Sequence, residues 1–272
     1  MERSKLKNII LAILAVTNIL LLGLMLVQHA QTRHYRQQVL LDAVELLAQQ
    51  GITVQMDDLP QQDFPAPQSL ERDLQEELAG FSSLLGEDTV YAQRGLVSLY
   101  TGSLGSAEVR EDGSFSVEFV PGAYPLADGS DPAHYAKTFL ARRIGLSGQV
   151  TQSTQDTVAV TQVWNGYPVF SCQAVLTYDQ GCVSTVTGTR LPGVPRADAS
   201  AAAPLSTATL LVRFRSGIIT SGDACTAILS ATQGYVLTTD ANGAARLTPV
   251  LRLQTDTNLY ILNALTGELQ RG

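Results

Sequence analysis

Hydrophobic and polar positions change their spacing several times along the chain. From Ile9 to Val27 the run IILAILAVTNILLLGLMLV holds no charge, and only Thr17, Asn18 and Gly23 depart from strong apolarity. Over residues 31–50 the spacing becomes helical: Leu40, Val44 and Leu47 recur at i, i+4, i+7, with Val39, Ala43 and Leu46 beside them. Gly51 closes that helix. Its apolar face places it in the core of a first outer domain; a stalk continuing the apolar run is the alternative. Ile52-Thr53-Val54 predicts a short strand, and Pro60, Pro65 and Pro67 mark a loop after it. Ser69 is a fitting N-cap for a second helix over Leu70–Leu85, interrupted near Gly80. From Val90 the period falls to two. Val109, Phe115, Val117 and Phe119 alternate across Glu111-Asp112-Gly113-Ser114, which predicts a hairpin.

A new unit opens at Asp131-Pro132, where Asp is the N-cap and Pro the first helical residue; the helix reaches Ile144. Strands follow at 158–163, 167–178 and 183–189, with turns at Asn165-Gly166 and Asp179-Gln180-Gly181. Residues 190–204 read as a Pro/Ala-rich linker. Ser206 then opens a helix through Phe214, and strands are expected at 227–231, 235–239, 248–254 and 259–263. The fold class is α+β: one N-terminal transmembrane helix, then repeated units of a helix followed by an antiparallel meander. The expected division is a tail and anchor over 1–30, an N-terminal outer domain over 31–122, and a C-terminal domain over 123–272.

The apolar run spans about 28 Å as a helix at ~1.5 Å per residue, close to a bilayer core of about 30 Å. It is longer than the apolar part of a cleaved signal peptide, and its exit, Val27-Gln28-His29-Ala30-Gln31, lacks the small residues that cleavage needs. An uncleaved anchor in the lipid bilayer follows. Arg3, Lys5 and Lys7 precede the span, against Arg33 and Arg36 after it, so the N-terminus is expected in the cytoplasm and residues 28–272 outside.

Composition narrows the chemistry. With 18 Lys and Arg against 25 Asp and Glu, the net charge is −7, which excludes a basic nucleic-acid-binding surface. Three cysteines cannot build a disulfide-stapled mini-fold. Cys172, Cys182 and Cys225 lack metal-ligand spacing; buried thiols are the simple reading, and a bond involving Cys225 stays open. No nucleophile elbow, zinc helix, phosphate loop or dinucleotide fingerprint occurs. Of the three histidines, only His134 lies deep in the outer region, in the first turn of a helix. Glu111, Asp112 and Glu118 cluster at a turn and read as solvated. No catalytic, cofactor-binding or metal residue is assigned, and the chain is not expected to be an enzyme. Within the span, the Thr17-Asn18 face and Gly23 are candidates for contact with another transmembrane helix, since Asn seeks a partner in hydrocarbon and Gly permits close approach.

Several features together resemble one family. They are the basic tail MERSKLKN, Thr17-Asn18 in the span, Gly51-Ile52-Thr53-Val54 with Leu59-Pro60, Gly234-Tyr235, the stretch Leu247 to Asp256, and Tyr260 to Glu268. These resemble the YycI/YycH family of membrane-anchored regulatory proteins of Gram-positive bacteria. The pattern P-V-x-R-x-x-T-D…Y…N-A-x-T-G-E near the C-terminus is also similar to that of PepSY-type domains. Within it Pro249 suits the start of an edge strand, Asp256 and Asn258 a turn. The resemblance implies a single-pass protein without catalytic activity or cofactor. It also implies a sensor histidine kinase of the YycG/WalK type as partner, together with a homologous accessory protein, and a role in cell-wall signalling. The alternative is a PepSY-like extracytoplasmic binding module, such as a protease inhibitor or chaperone.

Overall fold

The computed structural model describes residues 34–127, 129–198, 200–239 and 244–272, together with Leu14, Thr17, Asn18, Leu20, Leu21, Leu22 and Met25. Those seven N-terminal residues are helical and exposed. The rest of the expected span, Gly23 included, lies outside the described residues. No helix among the described residues is long and apolar enough to cross a membrane.

The protein is a mixed α+β structure dominated by antiparallel sheet. Helix α1 (34–48) is followed by β1 (Gln68–Leu70), α2 (Leu74–Leu85), β2 (Val90–Arg94), β3 (Val97–Gly102), β4 (Gly105–Arg110) and β5 (Ser114–Phe119). Then come α3 (Pro132–Phe139) with a π turn at Leu140–Ile144, β6 (Gly148–Ser153), β7 (Thr157–Trp164), β8 (Tyr167–Asp179), β9 (Cys182–Thr189) and the two-residue β10 (Arg196–Ala197). The chain ends with α4 (Thr207–Ser221), β11 (Ile228–Thr239), β12 (Ala245–Thr255), β13 (Leu259–Asn263) and β14 (Leu269–Arg271). A helix followed by four strands thus occurs three times, with the two-residue β10 added after the second set.

The first two of these units share one sheet. β5 pairs antiparallel with β9 (Val117 opposite Val186), giving the order β2-β3-β4-β5-β9-β8-β7-β6. Strand alternation turns Val109, Phe115, Val117, Val160, Leu176 and Val186 to one face, and Phe81, Leu84, Leu85, Phe139 and Leu140 of the helical segments pack on it. Burying such side chains contributes about 1.5–3 kcal/mol each before entropy is counted. Asp131 caps α3 as expected, accepting from the backbone N–H of Ala133 and His134.

The second core joins the two ends of the chain. Leu40, Ala43 and Leu47 of α1, with Ile52, Leu59 and Phe64, pack with Leu210, Leu211 and Phe214 of α4 on Leu251, Leu253, Tyr260 and Leu262. The described part of the expected 31–122 domain, residues 34–122, is therefore shared between both cores, and the sheet runs unbroken past residue 122. Long-range pairing of this kind leaves no mark in local periodicity. The two sheets meet where Tyr235 of β11 pairs parallel with Val169 of β8. Gly234 sits at this seam: a Cβ there would lie 2.5 Å from the Pro168 carbonyl oxygen and 2.6 Å from the Phe170 ring.

Three sequence expectations are corrected. The helix expected from Leu70 begins at Leu74 under an Asp73 cap, because Gln68–Leu70 is drawn into a strand between β12 and β10. Ile52–Val54 forms only a single bridge, Thr53 to Ala227. Pro249 lies inside β12 rather than at its start. It falls between the stretch pairing with β1 and that pairing with β13, where its carbonyl accepts from Ala264 N–H and no N–H is required.

Candidate functional site

A charged residue interrupts the inward stripe of α2. Glu77 stands one helical turn before Phe81, with Leu84 and Leu85 beyond, and is only 5% exposed. Alternation on β3 places Ser98 and Tyr100 on the face that meets it. The Arg72 guanidinium grips the Glu77 carboxylate with two hydrogen bonds, at 2.7 and 3.1 Å, and also donates to Ser98 Oγ at 3.0 Å. Tyr100 donates to Glu77 Oε1 at 2.6 Å, and Arg190, just after β9, donates to Oε2 at 3.2 Å. Two guanidiniums therefore share one buried carboxylate. Phe81 stacks on Tyr100 with ring centroids 4.6 Å apart, and the Arg190 guanidinium lies over Phe81 at 5.5 Å.

Burial pushes the Glu77 carboxyl upward, but the hydrogen bonds from Arg72 and Tyr100 and the charges of Arg72 and Arg190 outweigh it and hold it below the usual range. Burial raises the Tyr100 phenol, reinforced by Glu77; burial, with the like charge of Arg72, lowers Arg190 against the pull of Glu77. A depressed carboxyl contributes stability that is full above its unfolded pKa, about 4.3, and is lost as pH falls through the lower folded value. The gap in urea midpoint between the native chain and Glu77→Gln should accordingly be wide at pH 7 and narrow at pH 3. A gap independent of pH would contradict the assignment.

Beside this cluster opens a cleft of about 360 Å³, walled by α2, the π turn and residues 190–195. The 190–195 strap is pinned firmly. Leu191 N–H donates to the buried Gln162 side chain, and a Cβ on Gly193 would lie 2.0 Å from the Glu71 carbonyl oxygen. Arg142 and Arg143 sit on the π turn; Arg143 donates to the Ser83 carbonyl and lies over Tyr124. Single π turns inside helices often mark functional sites. Among the described residues, three buried side-chain donors have no hydrogen-bond partner: Trp164 Nε1, Arg190 Nε and Arg215 Nε. The first two line this cleft.

A second cleft, about 300 Å³, follows the seam between the sheets, with Thr151, Thr161, Thr232 and Gln254 around an Arg252 guanidinium stacked 5.0 Å over Phe170. None of the unpartnered buried donors belongs to its lining, so it offers weaker grounds for a site.

The residues singled out from sequence lie elsewhere. Thr17 and Asn18 are helical and exposed; Gly23 and His29 fall outside the described residues. His134 serves through its backbone N–H at the α3 cap. Asp112 accepts from Ser114 at the hairpin, a turn role. The three thiols are unpaired, and among the described residues no group of three His, Cys, Asp or Glu could hold a metal. Cys172 is fully buried and its thiol is pushed up to about 12, whereas Cys182 is half-buried. Iodoacetamide on the folded chain should therefore modify Cys182 well before Cys172, as read by mass spectrometry. Equal rates would mean that the sheet around Cys172 opens easily.

Sequence reading missed Arg72, Glu77, Trp164 and Arg190. The available signal was Glu77 itself, a charge on the apolar stripe of a helix, and the lone tryptophan beside the Asn165-Gly166 turn.

No family profile matches the chain, and no curated protein matches it. Among solved structures, the chain is similar to an uncharacterized protein from Eubacterium rectale ATCC 33656, at 13% identity over 77% of this chain and 86% of that one, with a TM-score of 0.43. It is also similar to the Bacillus megaterium YpeB C-terminal domain, at 13% identity over 75% of this chain and 98% of that one, with a TM-score of 0.35. Likeness at this level assigns neither family nor activity.

Proposed function

We propose that the chain is a membrane-anchored, non-enzymatic extracytoplasmic regulator that works by binding a partner protein. In the form suggested by its resemblance to the YycI/YycH family, the partner is a sensor histidine kinase of the cell envelope. The observation that carries this reading is the docking of α1. The helix that follows the uncharged Ile9–Val27 run buries Leu40, Ala43 and Leu47 in the same core as α4 and the last strands. A packed helix transmits displacement, because close-packed cores shift between discrete arrangements and do not deform continuously. A partner whose two states bind this chain with different affinities would be biased by it.

The test is affinity purification after cross-linking of the full chain from its native membranes. A version with residues 1–30 replaced by an unrelated anchor is run beside it. Recovery of one sensor kinase, reduced by the anchor swap, is the expected result. Recovery of proteases or wall components, unaffected by the swap, would replace this reading with that of an extracytoplasmic binding module. The unpartnered donors in the α2 cleft favour the second reading.

A further inference from the structure

We propose that the cleft between α2, the π turn and the 190–195 strap is a binding site for a carboxylate carried on an apolar body. Three observations meet there. First, Arg72 and Arg190 share the carboxylate they touch, Glu77, the side chain of Arg190 being 16% exposed, while Glu76 and Glu111 act on them only at longer range. A buried cation without its own counter-ion is costly, and a second carboxylate would complete the pairing. Second, Arg190 Nε and Trp164 Nε1 are buried donors without acceptors, and both belong to residues lining the one cleft. Buried donors are nearly always satisfied, so a pair of orphans in one cavity marks a place for an acceptor. Third, the cavity carries apolar wall from Phe81, Trp164, Leu191 and Pro192, and its volume suits a ligand of modest size.

The carboxylates already present do not supply the missing acceptor. Asp73 is engaged in capping α2, and Glu77 is held by Arg72, Arg190 and Tyr100. Glu76 is exposed among the cleft's lining, and its charge acts on Arg190 without an ion-pair contact. The ligand's carboxylate would accept from Arg190 Nε and Trp164 Nε1, with its apolar part against the Phe81 and Trp164 rings. Such a group is found on a small aryl acid, on a peptide C-terminus, or on an acidic side chain within a peptide.

The test uses the full chain in a non-ionic detergent and fluorine NMR of 4-fluorophenylacetate, with 4-fluorophenylacetamide as the uncharged control. Saturable broadening for the acid and none for the amide is expected. Trp164→Phe keeps an aromatic ring, though a smaller one, and removes one donor; it should weaken binding about tenfold, the usual effect of losing one hydrogen bond to a charged group. Arg142→Gln, an exposed change, guards against a folding artefact and should weaken binding only through charge, an effect abolished by salt. Competition by a free-acid peptide but not its C-terminal amide would identify a chain terminus as the natural source. Competition by an amidated peptide bearing an internal Asp or Glu would identify a side chain. Equal binding of acid and amide, no saturation, or unchanged binding by Trp164→Phe would overturn the proposal and leave the donors to water.

Discussion

Replacing Glu77 by alanine is expected to lower the unfolding free energy by about 3–5 kcal/mol, because it strands two guanidiniums beneath α2 without their counter-ion. Arg72 would lose both of its hydrogen bonds to the carboxylate, and Arg190 its ion-pair contact. Tyr100 would be left with a buried hydroxyl that has lost its charged acceptor. At roughly 2–4 °C per kcal/mol for a chain of this size, the melting temperature should fall by on the order of 10 °C. Glu77→Gln should cost less, since the amide oxygen can still accept from Tyr100, yet it leaves both cations uncompensated. The Arg36–Asp63 pair serves as control: its side chains are 52% and 76% exposed, and Asp63→Ala should cost under about 1 kcal/mol. Calorimetry of the three variants decides the matter. A Glu77→Ala chain within about 1 kcal/mol of the native one would show that the cluster is not desolvated as described, and would remove the electrostatic ground for a ligand in the adjoining cleft.

Why the cluster was hidden in the sequence while much of the fold was not follows from the range of the forces involved. Elements set by neighbours in the chain were legible. The 158–163, 167–178 and 183–189 strands are observed at Thr157–Trp164, Tyr167–Asp179 and Cys182–Thr189. The Asn165-Gly166 turn between the first two has both residues at positive φ, as its composition demands. Ser206 caps α4 and Asp131 caps α3. Elements set by distant partners were not legible. β1 and β10 exist because β12 offers an edge, and their few residues carry no periodicity of their own. The strands expected at 227–231 and 235–239 are one strand, β11, since Gly234 serves close approach to β8 and is no break. The candidate site lies partly in this second category. Arg72 and Glu77 are five residues apart, but Arg190 reaches them only through the β5–β9 pairing, which closes a loop of more than sixty residues and has no local signature.

The second large effect concerns α1. Leu47 is 1% exposed, and Leu47→Ala should cost about 2–5 kcal/mol through lost burial and the cavity left behind. The loss should be confined to the core that α1 shares with α4. Leu47 packs with α4 and β11–β13, whereas Phe115, Val117 and Val186 belong to the sheet under α2 and α3. Native-state hydrogen exchange therefore provides the sharper readout. Amides over 34–54, including Ile52 N–H on the Leu47 carbonyl and Thr53 N–H on the Thr226 carbonyl, should exchange at least tenfold faster. Amides of β4, β5 and β9 should keep their protection. In the full chain the same substitution should leave carboxylate binding at the α2 cleft unchanged while reducing recovery of a membrane partner, because it loosens α1 from the outer core without touching residues 1–30. Uniform acceleration across both cores would mean that they unfold as a single cooperative body. Docking of α1 could then not act as a separate link between the membrane run and the outer region, and the regulatory reading would lose its structural support.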